Sequence, residues 1–210
     1  MIKDFNLEWT NKSCSLCENL TSCRTQIVLA TPSKQGGLLA IGEAPGHSED
    51  VKGEGFVGIA GKTLDRLLLP HGIGRNDYGR ANICRCRPPE NRKPTPNEIE
   101  ACLPFLVDLI QKTKPKVILT VGGTPTSIFF GKGSLYSKIT DQVAYNDCSS
   151  LLYKDFAHKG MSNILPEIPY IVPTPHTSPL AFNRNAPSGE KWAVIAERQV
   201  DIAVKLLLNH

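Results

Sequence analysis

Four short apolar runs interrupt an otherwise mixed chain, at 38–43, 80–84, 117–122 and 170–173. Each is four to six residues long and is bounded by Gly, Pro or polar residues, which is how strands buried on both faces read. Helical periods fall between them. In KTLDRLLLPHG (62–72), Leu64, Leu67 and Leu68 share a face. Thr95-Pro96-Asn97-Glu98 reads as a capping box with proline at the first helical position. Behind it Ile99, Cys102, Leu103, Leu106 and Ile110 form one stripe, so Cys102 points inward, and Pro104 is expected to kink the helix. A last helix is predicted over about 188–208, with Trp192, Ile195, Ala196, Ala203, Leu206 and Leu207 facing in. Strands alternating with helices predict an α/β fold, a parallel sheet covered by helices.

Residues 132–168 break this rhythm. They show no strong period and are long for a plain connection. There is no internal repeat or low-complexity tract. At 210 residues, 40% hydrophobic and 21% charged, the chain has the size and composition of one globular domain. No apolar run is long enough to cross a bilayer, and MIKDFNLEWTNKS carries no signal-peptide core, so a cytoplasmic protein without membrane contact is expected. A net charge of +4 permits an anionic partner without demanding one.

The seven cysteines are clustered. Cys14-Ser15-Leu16-Cys17 gives a C-x-x-C pair, Cys86 follows a strand, and Cys102 lies on the inner face of the capped helix. Together they could close a four-thiolate site suited to zinc or to an iron–sulfur cluster, and spacing does not choose between the two. Cys23, Cys84 and Cys148 read as spare thiols. Within CRPPENRKP, prolines stiffen a segment where Arg85, Arg87, Arg92 and Lys93 concentrate positive charge, as a phosphate-contacting arm would.

Two glycine-rich turns follow the first strand. In Gly42-Glu43-Ala44-Pro45-Gly46 the glycines allow close backbone approach to a ligand and Pro45 fixes the turn. Gly55-Phe56-Val57-Gly58-Ile59-Ala60-Gly61 sets one aromatic among small residues, leaving room for a flat ligand to stack. Neither is a phosphate-binding loop. After the fourth strand comes Thr174-Pro175-His176-Thr177-Ser178-Pro179-Leu180-Ala181-Phe182-Asn183-Arg184, where open α/β sheets place ligand loops. Leu180, behind the rigid Ser178-Pro179 turn, reads either as a wedge that pushes between bases or as a residue packed with Phe182 under the loop.

Taken together, Cys14-x-x-Cys17, GEAPG at 42–46, GFVGIAG at 55–61, NICRCRPPENRKP at 82–94, EIEACLPFL at 98–106 and the His176 loop resemble the uracil-DNA glycosylase superfamily, most closely its iron–sulfur branch, family 4. The resemblance spans most of the chain in the expected order. It implies a single domain over 1–210, a three-layer α/β/α sandwich with a central four-stranded parallel sheet. An N-terminal cysteine segment (1–35) would close the metal site, and a long insertion would lie at about 132–168. It also implies a 4Fe–4S cluster on Cys14, Cys17, Cys86 and Cys102, with zinc as the alternative occupant. In the base pocket, Gly42 would line the base, Phe56 would stack on a flipped pyrimidine and Asn82 would read its polar edge. Glu43 would position water or the base, and His176 would donate to O2 as charge develops. DNA, single- or double-stranded, would meet Arg87, Arg92, Lys93, Ser178, Leu180 and Arg184, with the protein a monomer.

Three departures from the family pattern bear on the base rather than on the reaction. Gly55 stands where the family usually has proline, the 132–168 region is longer, and HTSPLAFNR is closer to the wedge loop of family 1 enzymes. Ala44 occupies the place where those enzymes carry a water-activating aspartate. The leading expectation is a monofunctional DNA glycosylase that releases uracil by hydrolysis. The alternatives are excision of a modified cytosine or other modified pyrimidine, as from phage DNA in antiviral defence, a non-catalytic iron–sulfur DNA-binding protein, and a zinc-stabilised hydrolase of small nucleosides.

Overall fold

The computed structural model describes residues 6–141 and 169–209. Four parallel strands, β1 (Leu38–Gly42), β2 (Gly79–Asn82), β3 (Val117–Val121) and β4 (Tyr170–Thr174), form one sheet in the order β2-β1-β3-β4. The expected strands are all present, each within a residue or two of its expected ends. β1 is buried at every position, and its side chains alternate between the two faces. Leu39 and Ile41 join Ala81, Leu103, Phe105 and Ile118 on one side. Leu38 and Ala40 join Leu64, Leu68, Val117, Leu119 and Val200 on the other. A helix layer therefore covers each face, and the three-layer α/β/α sandwich is the observed fold.

On the first face, α4 (Pro96–Thr113) begins as expected: Thr95 Oγ1 accepts from the Glu98 N–H at 3.3 Å, and Glu98 Oε2 accepts from the Thr95 N–H at 2.7 Å. Cys102 is buried on it, and the helix continues through Pro104 to Thr113. On the second face lie α3 (Ile59–Leu68) and the C-terminal helix α8 (Trp192–Leu208), which starts a few residues later than expected. Trp192, Leu206 and Leu207 face in as expected, half-buried against the core, and Gln199 is buried and donates to the Pro173 carbonyl at 2.8 Å. Pro173 has no N–H to give a ladder, and β4 is an edge strand, where proline is tolerated.

The remaining helices are short: α1 (Glu18–Thr21), α2 (His47–Lys52), α5 (Gly123–Phe130), α6 (Leu135–Asp141) and α7 (Pro179–Phe182). Helix α6 occupies the start of the region read as an irregular insertion. Residues 142–168 of that region, Cys148 among them, lie outside the described residues.

Residues 28–31 run beside β2. The Val28 N–H donates to the Arg85 carbonyl at 2.8 Å, and Thr31 and Arg80 exchange backbone bonds at 2.8 Å. The segment before them is tied to the rest of the fold by several hydrogen bonds. The Trp9 N–H donates to Asp108 Oδ2 on α4 at 2.9 Å, and the buried Asp50 carboxylate accepts from the Thr25 N–H at 3.0 Å.

Candidate functional site

The strands point their C-terminal ends to one edge of the sheet, where the two glycine turns and the His176 loop converge. Register brings the first pair together: Gly42 ends β1 directly beside Asn82, which ends β2. A Cβ on Gly42 would lie 2.5 Å from Asn82 Oδ1 and 2.9 Å from Phe56 Cζ. Glycine is thus required here because an amide and an aromatic ring press against the backbone. Phe56 is buried and holds a left-handed φ of 59°. Both glycine turns hang on one side chain. Glu49 Oε2 accepts from the Gly46 N–H at 3.1 Å, and Glu49 Oε1 accepts from the Gly58 N–H at 2.7 Å.

His176 reaches this edge from β4. The Ser178 N–H donates to its Nδ1 at 3.1 Å. A backbone N–H can only donate, so Nδ1 is the bare nitrogen and the ring proton sits on Nε2. Solvent reaches the ring, yet crowding by its neighbours holds its pKa below the ordinary histidine range, and the nearby Glu43 carboxylate opposes that shift. The result is a neutral imidazole with one outward N–H donor. Gly122, with φ +101°, makes room for it, since a Cβ there would meet His176 Cδ2 at 3.2 Å. Thr177 Oγ1 donates to the Ala60 carbonyl at 2.8 Å and so fastens the His176 loop to the Phe56 loop. Beyond it, Leu180 on α7 is 73% exposed, which excludes the reading of Leu180 as a packed core residue. Arg184 is exposed and Ser178 half-buried on the same loop.

Across the β2–α4 connection from Asn82, four cysteines share a corner. Cys14, Cys86 and Cys102 are buried and Cys17 half-buried. The Cys17 thiol is pushed up to about 11 by burial and then by the charges of Cys102, Cys14 and Cys86. Donors surround them. Arg24 Nη1 donates to Cys86 Sγ at 3.0 Å while its Nη2 donates to the Cys14 carbonyl at 2.7 Å, and the Arg85 N–H donates to Cys102 Sγ at 3.3 Å. Cys84, read as a spare thiol, lies against Cys102. It is fully buried, and its hydrogen bond to Cys102 lowers the Cys102 pKa and raises its own. Cys23 is exposed. Among the described residues, no group of three or more His, Cys, Asp or Glu side chains is gathered closely enough to hold a single metal ion.

The basic segment divides. Arg85 is buried, so it adds nothing to a phosphate-facing surface. Its guanidinium lies 3.4 Å from the centre of the Phe105 ring, and Nη1 donates to the carbonyls of Trp9 and Asn11 at 3.2 and 3.0 Å. Arg92 grips Glu98 with both Nη atoms, at 2.8 and 2.7 Å, and holds that carboxyl down to about 2, chiefly through this hydrogen bond. Arg87 bonds Asn91 Oδ1 at 2.8 Å and approaches His47 Nδ1 at 3.2 Å near the first glycine turn. Lys93 is exposed.

The sequence profile of the uracil-DNA glycosylase superfamily matches residues 30–198. This chain belongs to the uracil-DNA glycosylase superfamily. The match takes in the two glycine turns at 42–61, Asn82 and His176, and begins after Cys14, Cys17 and Cys23. Among curated relatives, the type-4 uracil-DNA glycosylase of Archaeoglobus fulgidus is 40% identical over 118 residues, covering 56% of this chain and 59% of the relative. Those of Saccharolobus solfataricus and Thermotoga maritima are 40% and 42% identical, covering 58% and 56% of this chain and 56% and 61% of the relatives. The matched part spans less than two thirds of each relative's own length.

Sequence reasoning missed Glu49, Gly122, Arg24 and the Arg75 contacts described below. Only Gly122 left a visible signal, a glycine closing the third apolar run. The others are charged residues in polar stretches, where pattern alone predicts solvent.

Proposed function

We propose that this chain is a monofunctional DNA glycosylase that hydrolyses the N-glycosidic bond of uracil flipped out of DNA. The observation that carries this reading is the meeting of Gly42, Asn82 and Phe56 at the end of the sheet from which the His176 loop also extends, the two loops being tied by Thr177 and Ala60. An aromatic face and an amide suit a flat base with a polar edge, and a base must leave the stack to reach them. Bond breaking leaves negative charge on the departing base. An Nε2–H fixed in advance stabilises that charge at no reorganisation cost. Glu43, the neighbouring carboxylate, positions water or balances the positive character of the sugar. The relatives named type-4 uracil-DNA glycosylase support uracil as the base.

The same reading places a 4Fe–4S cluster on Cys14, Cys17, Cys86 and Cys102. The donor chemistry fits such a group: Cys14, Cys86 and Cys102 are buried and Cys17 half-buried, and Arg24 and the Arg85 N–H donate to the sulfurs of Cys86 and Cys102, which favours thiolate ligands there. When bound, a cluster there would cross-link the N-terminal segment to the β2–α4 unit, and the chemistry of the pocket stays with Glu43, Asn82 and His176. Around the pocket, Arg87, Lys93, Ser178 and Arg184 face the DNA backbone, Leu180 fills the gap left by the flipped base, and Arg92 acts through Glu98 to brace the segment.

A labelled oligonucleotide with a single uracil tests the activity. After incubation and hot alkali it should break at that position only, and strands with cytosine or thymine there should stay intact. An unbroken uracil strand held in a stable complex would instead support a binding protein without catalysis.

A further inference from the structure

Arg75 lies in a tight turn ahead of β2, where the Gly74 N–H donates to Asp77 Oδ2 at 2.9 Å. Its guanidinium points back under the Phe56 loop. Nη1 donates to the Phe56 carbonyl at 2.7 Å and to Asp65 Oδ2 at 3.1 Å. Nη2 donates to the Gly55 carbonyl at 2.9 Å and to Glu54 Oε1 at 2.7 Å. One planar fork thus captures two consecutive carbonyls and balances its charge against two carboxylates. The far end is anchored as well. The Tyr78 hydroxyl donates to Asp65 Oδ1 at 2.6 Å, and Tyr78 is only 2% exposed.

This grip falls on a backbone that needs one. Phe56 has a φ of 59°, a region that a bulky aromatic residue adopts only when its surroundings impose it. The neighbouring Gly55 leaves the preceding bond free to turn. Gly61 crowds the Phe56 carbonyl so closely that no side chain fits there. Released from Arg75, the two peptide groups could relax towards ordinary φ values and carry the ring away from Gly42 and Asn82.

We infer that Arg75 is the positioning residue of the aromatic platform, holding Phe56 in its left-handed conformation before DNA arrives. The inference rests on the reading of Phe56 as the surface on which the base stacks. Lysine cannot take this place, because a single ammonium is a point charge that does not span two carbonyls in a plane. Arg75→Lys therefore keeps the charge beside Glu54 and Asp65 and removes the fork.

The test is a double-mutant cycle on kcat/KM with the single-uracil oligonucleotide, with thermal unfolding followed in parallel. Phe56→Ala should lose about 10- to 100-fold, the range expected for removing a base-stacking ring. Arg75→Lys should lose about tenfold, mostly through a higher KM and weaker discrimination of uracil from cytosine. Added to Phe56→Ala, it should cost less than about twofold more, because the two residues act as one unit. Losses that multiply in the double variant would overturn the inference, as would a normal Arg75→Lys beside an impaired Phe56→Ala. Loss of activity that tracks unfolding of Arg75→Lys would also overturn it, since Arg75 would then hold the fold and not the ring. Full activity in Phe56→Ala would remove the platform reading and this inference with it.

Discussion

The cysteine corner and the pocket flank the same connection from β2 to α4, only a few residues apart, and they are built on opposite electrostatic plans. In the corner, thiols crowd together and cationic or N–H donors from Arg24 and Arg85 turn towards sulfur. In the proposed pocket, the groups are a neutral imidazole, an amide, a ring and a single carboxylate. A site that gathers anionic ligands is favoured by positive charge and N–H donors beside them. A site that stabilises a transient anion works best with a fixed neutral donor that is satisfied only in the transition state. Damage to the corner should therefore appear first as lost stability, and damage to the pocket as lost turnover in a folded protein.

The largest expected effect belongs to the corner. Cys86→Ser should strip the metal, about four irons per chain if a cubane is bound. It should lower Tm by something on the order of 10 °C, since metal-binding energy is folding energy and ~1 kcal/mol moves Tm by 2–4 °C in a chain of this size. Cys23→Ser, at an exposed thiol, should do neither. Metal analysis with calorimetry on both variants checks the contrast, and a colourless parent protein carrying stoichiometric zinc would keep the ligands but change the occupant.

On the pocket side, His176→Ala should slow the single-turnover rate by about 10²–10³ with little change in DNA affinity or Tm. Equal losses in rate and affinity would mean that the histidine merely binds DNA. The pH profile sharpens the point. Because the folded pKa of His176 is depressed, chiefly by desolvation, the neutral donor persists as pH falls past the ordinary histidine value of about 6.5 and is lost only below it. The acid limb of kcat/KM should accordingly lie below that value. Its stability linkage has the matching sign: the unfolded chain takes up the proton first, so the contribution is present above about 6.5 and is lost as pH falls through the folded pKa.

The smallest effect should come from Leu180. An apolar tip is needed most when the target base is stacked and paired. Leu180→Ala should slow excision from duplex DNA about tenfold, with little change on single strands. Its exposure predicts an unchanged Tm. Parallel rate measurements on the two substrates decide this, and an equal loss on both would remove the wedge.

Much of this architecture is legible in the sequence because it rests on local rules. The four strands announce themselves as short apolar runs, and the Thr95–Glu98 cap and inward Cys102 follow from helical spacing alone. What escaped is long-range and charged. Arg85 reads as part of a basic arm, yet it continues from β2 towards the interior and spends its charge on Phe105 and two carbonyls of the N-terminal segment. Arg75 lies in a polar turn, and only the folded chain shows that its fork meets the Phe56 loop. Helix α5 was not expected because Gly123-Thr124-Pro125-Thr126-Ser127 has poor helix propensity. Its register comes from tertiary contacts, including Thr126 Oγ1 against Thr120 Oγ1 at 2.9 Å. Cys84 carries no spacing signal, and its interaction with Cys102 is visible only in three dimensions.

The sheet edge is proposed to release a base, and that base to be uracil. Mass spectrometry of the small molecules freed from uracil-containing duplex DNA, alongside a count of abasic sites, tests it directly. The expected result is free uracil equal in amount to the abasic sites formed, with both falling together in His176→Ala. Release of a modified pyrimidine from modified phage DNA with none from the uracil duplex, or no free base from either, would contradict it.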